Sequence, residues 1–502
     1  MALDRSHLRT AMVLGLLASA TILLRIGNLW TEQIDWDEWS FILMGADVAH
    51  GHLPFVHQFD LKPPLIFFLF GATIALFGKS LVAIRLLGAS CVFVAASFVF
   101  LTGRRLTSFW PAAAGATVCA VLACAPFGQA TSSELPAIAF LAAAVWRLAR
   151  SPLSVADSAL AGVLVALAVL TRTNLALVAV VWGALLLAAA LSPRSGVARW
   201  AWLAFGAAGL VPPVLLVAAY AAAGQLATLK LAMIDVPLAY SGQLGIAQVA
   251  REHAMQLYYT AEATPLLYGP GVLLALIGAG IAAVRVARSH NRAETWSLIV
   301  LMVTTACVVA SLLIGGAAYP HYWLQLMPFV GLFASLGAAA LWHAGTALRA
   351  TVLVLTLVPL AAGLAASLPQ ARQSYASAHP VEQAAAYIRR TGDARPTVWA
   401  LHKHLVDWYL DAPQLSRAGV HPDNLARHAI IDTLAAHGYV GHDEVGRLMH
   451  IVPQFVVTDA GGKGLAWVRD DGKPIDAWLA GHYQRAVRFG DVLVYRRKGQ
   501  AT

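Results

Sequence analysis

Asp60-Leu61-Lys62-Pro63-Pro64 leads into Leu65-Ile66-Phe67-Phe68-Leu69-Phe70 and an apolar run that ends at Gly78. How that run is read decides the fold. From Pro63 to Gly78 it is about 16 residues, at the short edge for a helix that crosses a bilayer. The arginines settle the choice. If 63–78 does not cross, Arg104, Arg105, Arg147, Arg150, Arg194, Arg199, Arg285, Arg288, Arg292 and Arg349 all fall on the side of the N-terminus. That is the positive-inside pattern. If 63–78 does cross, every one of them moves outside. The run is therefore expected to be an interfacial or re-entrant helix, with the N-terminus cytoplasmic.

Composition supports a membrane protein. Hydrophobic residues make up 59% of the 502, and charged residues only 12%, against about 25% in an ordinary soluble domain. Mean hydropathy is +0.66. Apolar runs at 8–30, 80–102, 110–128, 134–149, 155–171, 174–191, 199–222, 266–286, 296–314, 324–342 and 350–368 are the expected spans. The fold class expected is an all-α polytopic membrane protein. It has about 11 transmembrane helices, interfacial helices in the first outer loop (31–79), and a small C-terminal α/β extracytoplasmic domain. The division expected is 1–369 for the membrane domain and 370–502 for the outer one.

The net charge of +9 is read loop by loop in such a protein, not as a nucleic-acid signal. Cys91, Cys119, Cys124 and Cys307 all lie in apolar runs, which argues against a disulfide or a cysteine metal site. Arg5 and Arg9 precede a long apolar run without a cleavage-site pattern, so the first helix is expected to be retained. Beyond 370 the apolar runs break up. Residues 380–391 carry an amphipathic pattern through Val381, Ala384, Ala385 and Ile388. Thr397–Leu401, Gln454–Thr458 and Val487–Arg496 read as strands.

With this topology the first loop, the 129–134 turn, Arg172, the loop 223–265 and the 315–323 turn share the outer face. Chemistry is expected there. Asp35, Asp37 and Glu38 offer a general base and a hydroxyl or metal ligand; the plainer account is acids at the start of an amphipathic helix 37–50. Lys62 stands before two prolines that open a helix, a place suited to an anion such as phosphate; a lysine snorkelling to the interface is the plainer account. Tyr319-Pro320-His321-Tyr322-Trp323 belongs to an aromatic belt, yet a histidine at the outer mouth of a bundle calls for a partner, a phosphate or a metal. Glu134 follows Ser132-Ser133 and reads equally as helix capping. Arg172 can pair with a phosphate or an acid. Arg251, Glu252 and His253 sit in the long loop as candidates for a lid. His50, His52 and His57 match no tight zinc spacing and read as polar linker, and His402-Lys403-His404 as a surface run. There is no Walker loop, Rossmann fingerprint or nucleophile elbow.

Taken together, Asp37-Glu38, Gly51-His52-Leu53-Pro54, Asp60-Leu61-Lys62-Pro63-Pro64, Leu76-Phe77-Gly78 and Ala83-Ile84-Arg85-Leu86 resemble the first outer loop of the C-type membrane glycosyltransferases. More closely, they resemble the bacterial branch related to protein O-mannosyltransferases and the lipid A aminoarabinose transferase. His321-Tyr322 followed by Pro328 adds to the likeness. The resemblance implies transfer of a hexosyl or pentosyl group from a polyprenyl-phosphate donor, with inversion. The acceptor would be an envelope lipid, polysaccharide or protein at the outer face of a bacterial inner membrane. It implies Asp37 as base, followed by Glu38, Lys62 on the donor phosphate, and His321 and Tyr322 near the same site. Arg172 joins them as a candidate phosphate contact; Asp35, Asp60, Glu134 and Arg251 are secondary candidates. Leu61 stands where relatives place an acid before the lysine, which leaves a divalent metal open. The competing class is a lipid or sugar transporter. It would place ionisable groups near the bilayer midplane and often show repeat symmetry; here the charges crowd one face and no repeat is visible.

Overall fold

The structure is a computed structural model that describes residues 5–192, 195–241, 245–288, 291–460 and 475–499. Arg194 lies outside the described residues. The chain forms two compact units. The first comprises Met1–Trp30, Ile84–Ala218 and Leu244–Tyr375; the second comprises Thr31–Ala83, Ala219–Gln243 and Ala376–Thr502. These units do not follow the expected division at residue 370. The first outer loop folds with the C-terminal region, and residues 219–243 join it.

The first unit is a helical bundle. Among the described residues, eight helices are long and apolar enough to cross a membrane. They start with Ser6–Asn28 and Leu81–Leu106 and end with Pro320–Ala344 and the helix that begins at Thr346. Three more expected spans fall on helices of 15 residues: Phe109–Ala123, Glu134–Leu148 and Val155–Val169. The chain is a multi-pass membrane protein.

The bundle closes where helices lack side chains. A Cβ on Gly278 would stand 1.8 Å from the Phe333 carbonyl oxygen, and one on Gly337 would stand 2.1 Å from that of Leu274. The helices Pro265–Arg288 and Met327–Ala344 therefore touch backbone to backbone, the packing that small residues permit between membrane helices. Polar links tie the interior. Trp182 Nε1 donates to Thr304 Oγ1 at 2.9 Å, and Asn174 Nδ2 donates to Ser311 and Gln325 at 2.9 Å each. Arg85, quoted above for the resemblance, is buried and donates to the Asn28 carbonyl.

In the second unit the helix Trp36–Ala49 packs on Leu65–Phe77. A Cβ on Gly45 would meet Phe70 at 2.6 Å, and one on Gly71 would meet Val48 at 2.6 Å, so the axes approach closely. Phe41 lies edge-to-face with Phe67 and Phe70 at 5.8 and 5.6 Å. The helix Leu65–Phe77 has 13 residues. At 1.5 Å per residue it reaches about 20 Å, short of the about 30 Å hydrocarbon core. Its far end, Leu76 and Phe77, is exposed.

The C-terminal part of this unit carries the expected amphipathic helix, Pro380–Thr391, with Val381, Ala384, Ala385 and Ile388 buried. Glu32 caps it. Its carboxylate accepts from the amides of Val381 and Glu382 at 2.8 Å each, where a helix N-terminus favours negative charge. A four-stranded sheet runs in the order β1-β2-β4-β3, with β1 Val398–Ala400, β2 Phe455–Asp459, β3 Tyr483–Phe489 and β4 Val492–Arg497. Strands β1 and β2 are parallel, and the other pairs are antiparallel. The expected strand 487–496 is in fact a hairpin. Gly490, at φ +54, supplies the left-handed turn that splits it.

Candidate functional site

The sequence-derived candidates gather into two clusters, one in each unit. In the second unit the cluster grows from a helix start. Asp35 is the N-cap of Trp36–Ala49, with extended backbone, and its Oδ1 accepts from the Asp37 amide at 2.8 Å. That spends Asp35 on capping and fixes Asp37 in the first turn. Asp37 Oδ2 meets Lys62 Nζ at 2.7 Å, and Oδ1 lies 3.4 Å from His421 Nε2. The three side chains are 14%, 15% and 13% exposed. Glu38 is fully buried.

Lys62 is set by its own loop. Asp60 is buried, and its Oδ1 accepts from the Lys62 amide at 3.0 Å. Pro63 holds Lys62 away from helical backbone, and the helix N-cap is Pro64. Lys62 thus stands ahead of the helix rather than in its first turn, and it faces a carboxylate. Burial raises the Asp60 carboxyl above its ordinary pKa; Lys62 and His421 pull it back in part, and Asp37 adds to the rise.

His421 was not anticipated. It is the N-cap of the short helix Pro422–Ala426, and its Nδ1 accepts from the Asp423 amide at 3.1 Å. That contact favours a proton on Nε2, aimed at Asp37. Burial opposes the charged ring, yet the hydrogen bond and charge of Asp37, with Asp60 and Asp423, raise its pKa above the ordinary value. Trp36 stands edge-on to it at 6.2 Å. No spacing signal could have found His421, because only the tertiary fold brings it to the first loop.

His402, Lys403 and His404 are buried, not a surface run. Burial pushes His402 down to about 4. Burial, with His402 and His421 adding to it, holds His404 well below its ordinary value too. Lys403 Nζ is held by Asp491 at 2.6 Å and Gln33 at 2.6 Å. Trp36 packs on His402, and Gln33 and Asp491 hold Lys403, at a turn that composition alone made look solvated.

In the first unit, Glu134 begins the helix Glu134–Leu148 and is fully buried. Ser133 supplies no side-chain cap bond there, so capping does not explain Glu134. Instead, Arg172 Nη1 pairs with Glu134 Oε1 at 3.1 Å, and His321 Nε2 lies 3.9 Å from the same oxygen. The Arg172 guanidinium sits 4.4 Å from the Tyr322 ring centroid, a cation–π contact. His321 meets Tyr322 edge-on at 4.9 Å and stacks on Tyr319 at 5.7 Å. The pair on the 3-10 turn Pro320–Leu326 and the distant Arg172 are thus brought together on one carboxylate.

Arg251 is not brought into these ion pairs. It is exposed on the helix Ile246–Ala263. The expected lid is helical, and His253 is buried against Trp323 with ring centroids 5.2 Å apart. Among the described residues, Asp35, Asp37, Asp60 and His421 do not form a group of converging metal ligands.

Residues 61–217 match the model of the family described as dolichyl-phosphate-mannose-protein mannosyltransferase. No curated protein matches the chain by sequence. ArnT from Cupriavidus metallidurans bound to undecaprenyl phosphate superposes with a TM-score of 0.66 at 12% identity, over 97% of this chain and 98% of that one. Its apo state gives 0.58 at 12% identity over the same shares. The archaeal oligosaccharyltransferase AglB from Archaeoglobus fulgidus, in complex with an inhibitory peptide and a dolichol-phosphate, gives 0.54 at 12% identity, over 98% and 75%. At that identity the likeness is one of fold. The chain has the fold of ArnT, and over residues 61–217 it resembles the protein mannosyltransferase family.

Proposed function

We propose that the protein transfers a sugar from a polyprenyl-phosphate donor to an envelope acceptor at the outer face of a bacterial inner membrane, with inversion. The observation that carries this reading is the Lys62–Asp37 pair at 2.7 Å, closed by His421, in a fold shared with a protein crystallised on undecaprenyl phosphate.

The chemistry runs as follows. An acceptor hydroxyl attacks the anomeric carbon from the face opposite the phosphate. Asp37 takes its proton as the new C–O bond forms. The bond from the anomeric carbon to the phosphate oxygen breaks, and polyprenyl phosphate leaves with one more negative charge than it had in the donor. Lys62 stabilises that charge. Its ammonium, a three-donor group already positioned against Asp37, matches the chemistry of a phosphate. Glu38, fully buried one residue on, is assigned to the same site. Asp60 tethers the Lys62 backbone. Arg172, His321 and Tyr322 supply matching anion chemistry, and we assign them to anion binding within the first unit. The N-terminus is cytoplasmic and residues 370–502 are extracytoplasmic in this reading. The donor is a hexosyl or pentosyl phosphopolyprenol.

The test is reconstitution in vesicles with a labelled polyprenyl-phosphate sugar, coupled to mass analysis of envelope glycolipids and glycoproteins with and without the protein. Release of polyprenyl phosphate together with a glycosylated product is expected. Donor flux across the vesicle with no product ever formed would instead establish a transporter. Labelling that finds position 104 exposed outside would overturn the orientation.

A further inference from the structure

We propose that Asp47, His52 and His57 bind a divalent transition-metal ion of the Zn²⁺ class, which clamps the segment leading to Asp60-Leu61-Lys62. The three ligand atoms lie within 4.8 Å of one another. His52 Nδ1 is 2.7 Å and His57 Nδ1 3.3 Å from Asp47 Oδ1. The two rings are 4.2 Å apart and nearly perpendicular, at 83°. Ligands around a tetrahedral ion at 2.0–2.1 Å sit about 3.3 Å from each other. The His57 distance already has that value, and His52 would withdraw from Asp47 by about 0.6 Å. His50, the C-cap of the helix, does not join the group.

The surrounding chain holds these ligands in place without an ion. Asp47 lies in the last turn of the helix Trp36–Ala49. Gly51, at φ +92, turns the backbone, and the His52 amide donates back to the Asp47 carbonyl at 3.3 Å. Between the two histidines, three side chains from elsewhere in the unit fix successive carbonyls. Tyr220 Oη donates to Pro54, Tyr439 Oη to Phe55 and Arg417 Nη2 to Val56, at 2.6, 2.5 and 2.5 Å. Phe55 is buried at φ 66, a conformation that a bulky residue adopts only when its surroundings impose it. A preformed site costs the ion little ordering.

Two imidazoles and one carboxylate select a borderline metal over Mg²⁺ or Ca²⁺, which prefer oxygen. On binding, each ring presents its Nδ1 lone pair with the proton on Nε2, and Asp47 contributes one oxygen. Both histidines are about half exposed, so water completes the coordination. This site stands whether or not Lys62 meets a donor phosphate.

The experiment uses the full-length protein in detergent, free of any affinity tag and stripped with a chelator. Zn²⁺ is titrated against a chromophoric competitor, and Co²⁺ binding is followed by its visible absorption. One ion per chain is expected, with Mg²⁺ failing to compete. Affinity should fall at least about tenfold in His52→Gln, His57→Gln and Asp47→Asn. Glutamine still donates to Asp47, so the two histidine variants keep the apo hydrogen bonds, and size exclusion confirms their fold. Absence of Zn²⁺ binding up to about 100 μM in the wild type, well below the affinity of a built site, overturns the proposal. So does binding that all three variants retain, which places the ion elsewhere.

Discussion

The two charged clusters use the same side-chain types in different surroundings. In the second unit Asp37, Lys62 and His421 each keep a narrow opening to solvent. In the first unit Glu134 has none, and Arg172 lies against it over the Tyr322 ring. A partly desolvated pair strengthens electrostatics while letting an incoming group exchange for a partner. A fully buried carboxylate cannot lose its cation without leaving an uncompensated charge. The first arrangement suits proton transfer; the second suits holding the Arg172 guanidinium and the His321-Tyr322 turn rigid toward an anion.

The sharpest way to break this contrast is at Asp37 and Lys62. Asp37→Asn and Lys62→Ala are expected to cut turnover about 10²–10⁴-fold in the vesicle assay, while the protein stays monodisperse. If instead both variants unfold with activity per folded molecule intact, the pair is structural and the contrast is gone. Glu134→Ala should act in the opposite sense. Stranding Arg172 costs about 3–5 kcal/mol of stability, read as a lowered unfolding midpoint and poor yield. A normal midpoint with collapsed turnover would show that Glu134 acts in the transfer itself and not by holding Arg172.

Acid tests a third feature, the buried histidines. His402 titrates at about 4 in the folded chain, against about 6.5 unfolded. Between those values the unfolded chain binds the extra proton, so stability falls as pH drops through 6.5 toward 4, by on the order of 3 kcal/mol. His402→Phe should flatten that slope in thermal unfolding run against pH; an unchanged slope refutes the assignment. His421 has the reverse sign. Its raised value contributes stability fully present below 6.5 and lost as pH rises through the folded pKa. His421→Gln should lower turnover only about tenfold, the worth of one hydrogen bond, and move the acid limb of the pH–rate profile upward. A purely structural role would leave that limb in place. Arg251→Ala, on an exposed helical face, should change neither stability nor turnover beyond about 0.5 kcal/mol.

The bundle was legible because lipid demands long apolar helices: the eleven expected runs fall on helices, eight of them, among the described residues, long and apolar enough to cross. Asp37 and Lys62 were legible as rare charges in an apolar chain, and the fold pairs them. The domain division was not legible. Composition changes near 370, but Glu32 capping Pro380–Thr391 and the Asp37–His421 contact build the first loop into the C-terminal unit. The split of 487–496 into a hairpin turned on one glycine, and the burial of His402 to His404 on the layers around them.

The chain alone determined the span pattern, the short proline-led helix and the residues that carry charge, because hydropathy and helix length are local properties. Tertiary structure alone decided the partners: His421 for Asp37, Glu134 for Arg172, Asp47 for His52 and His57. Hydrogen bonds and ion pairs act over about 3 Å and depend on distance in space, and separation along the sequence gives almost no measure of that.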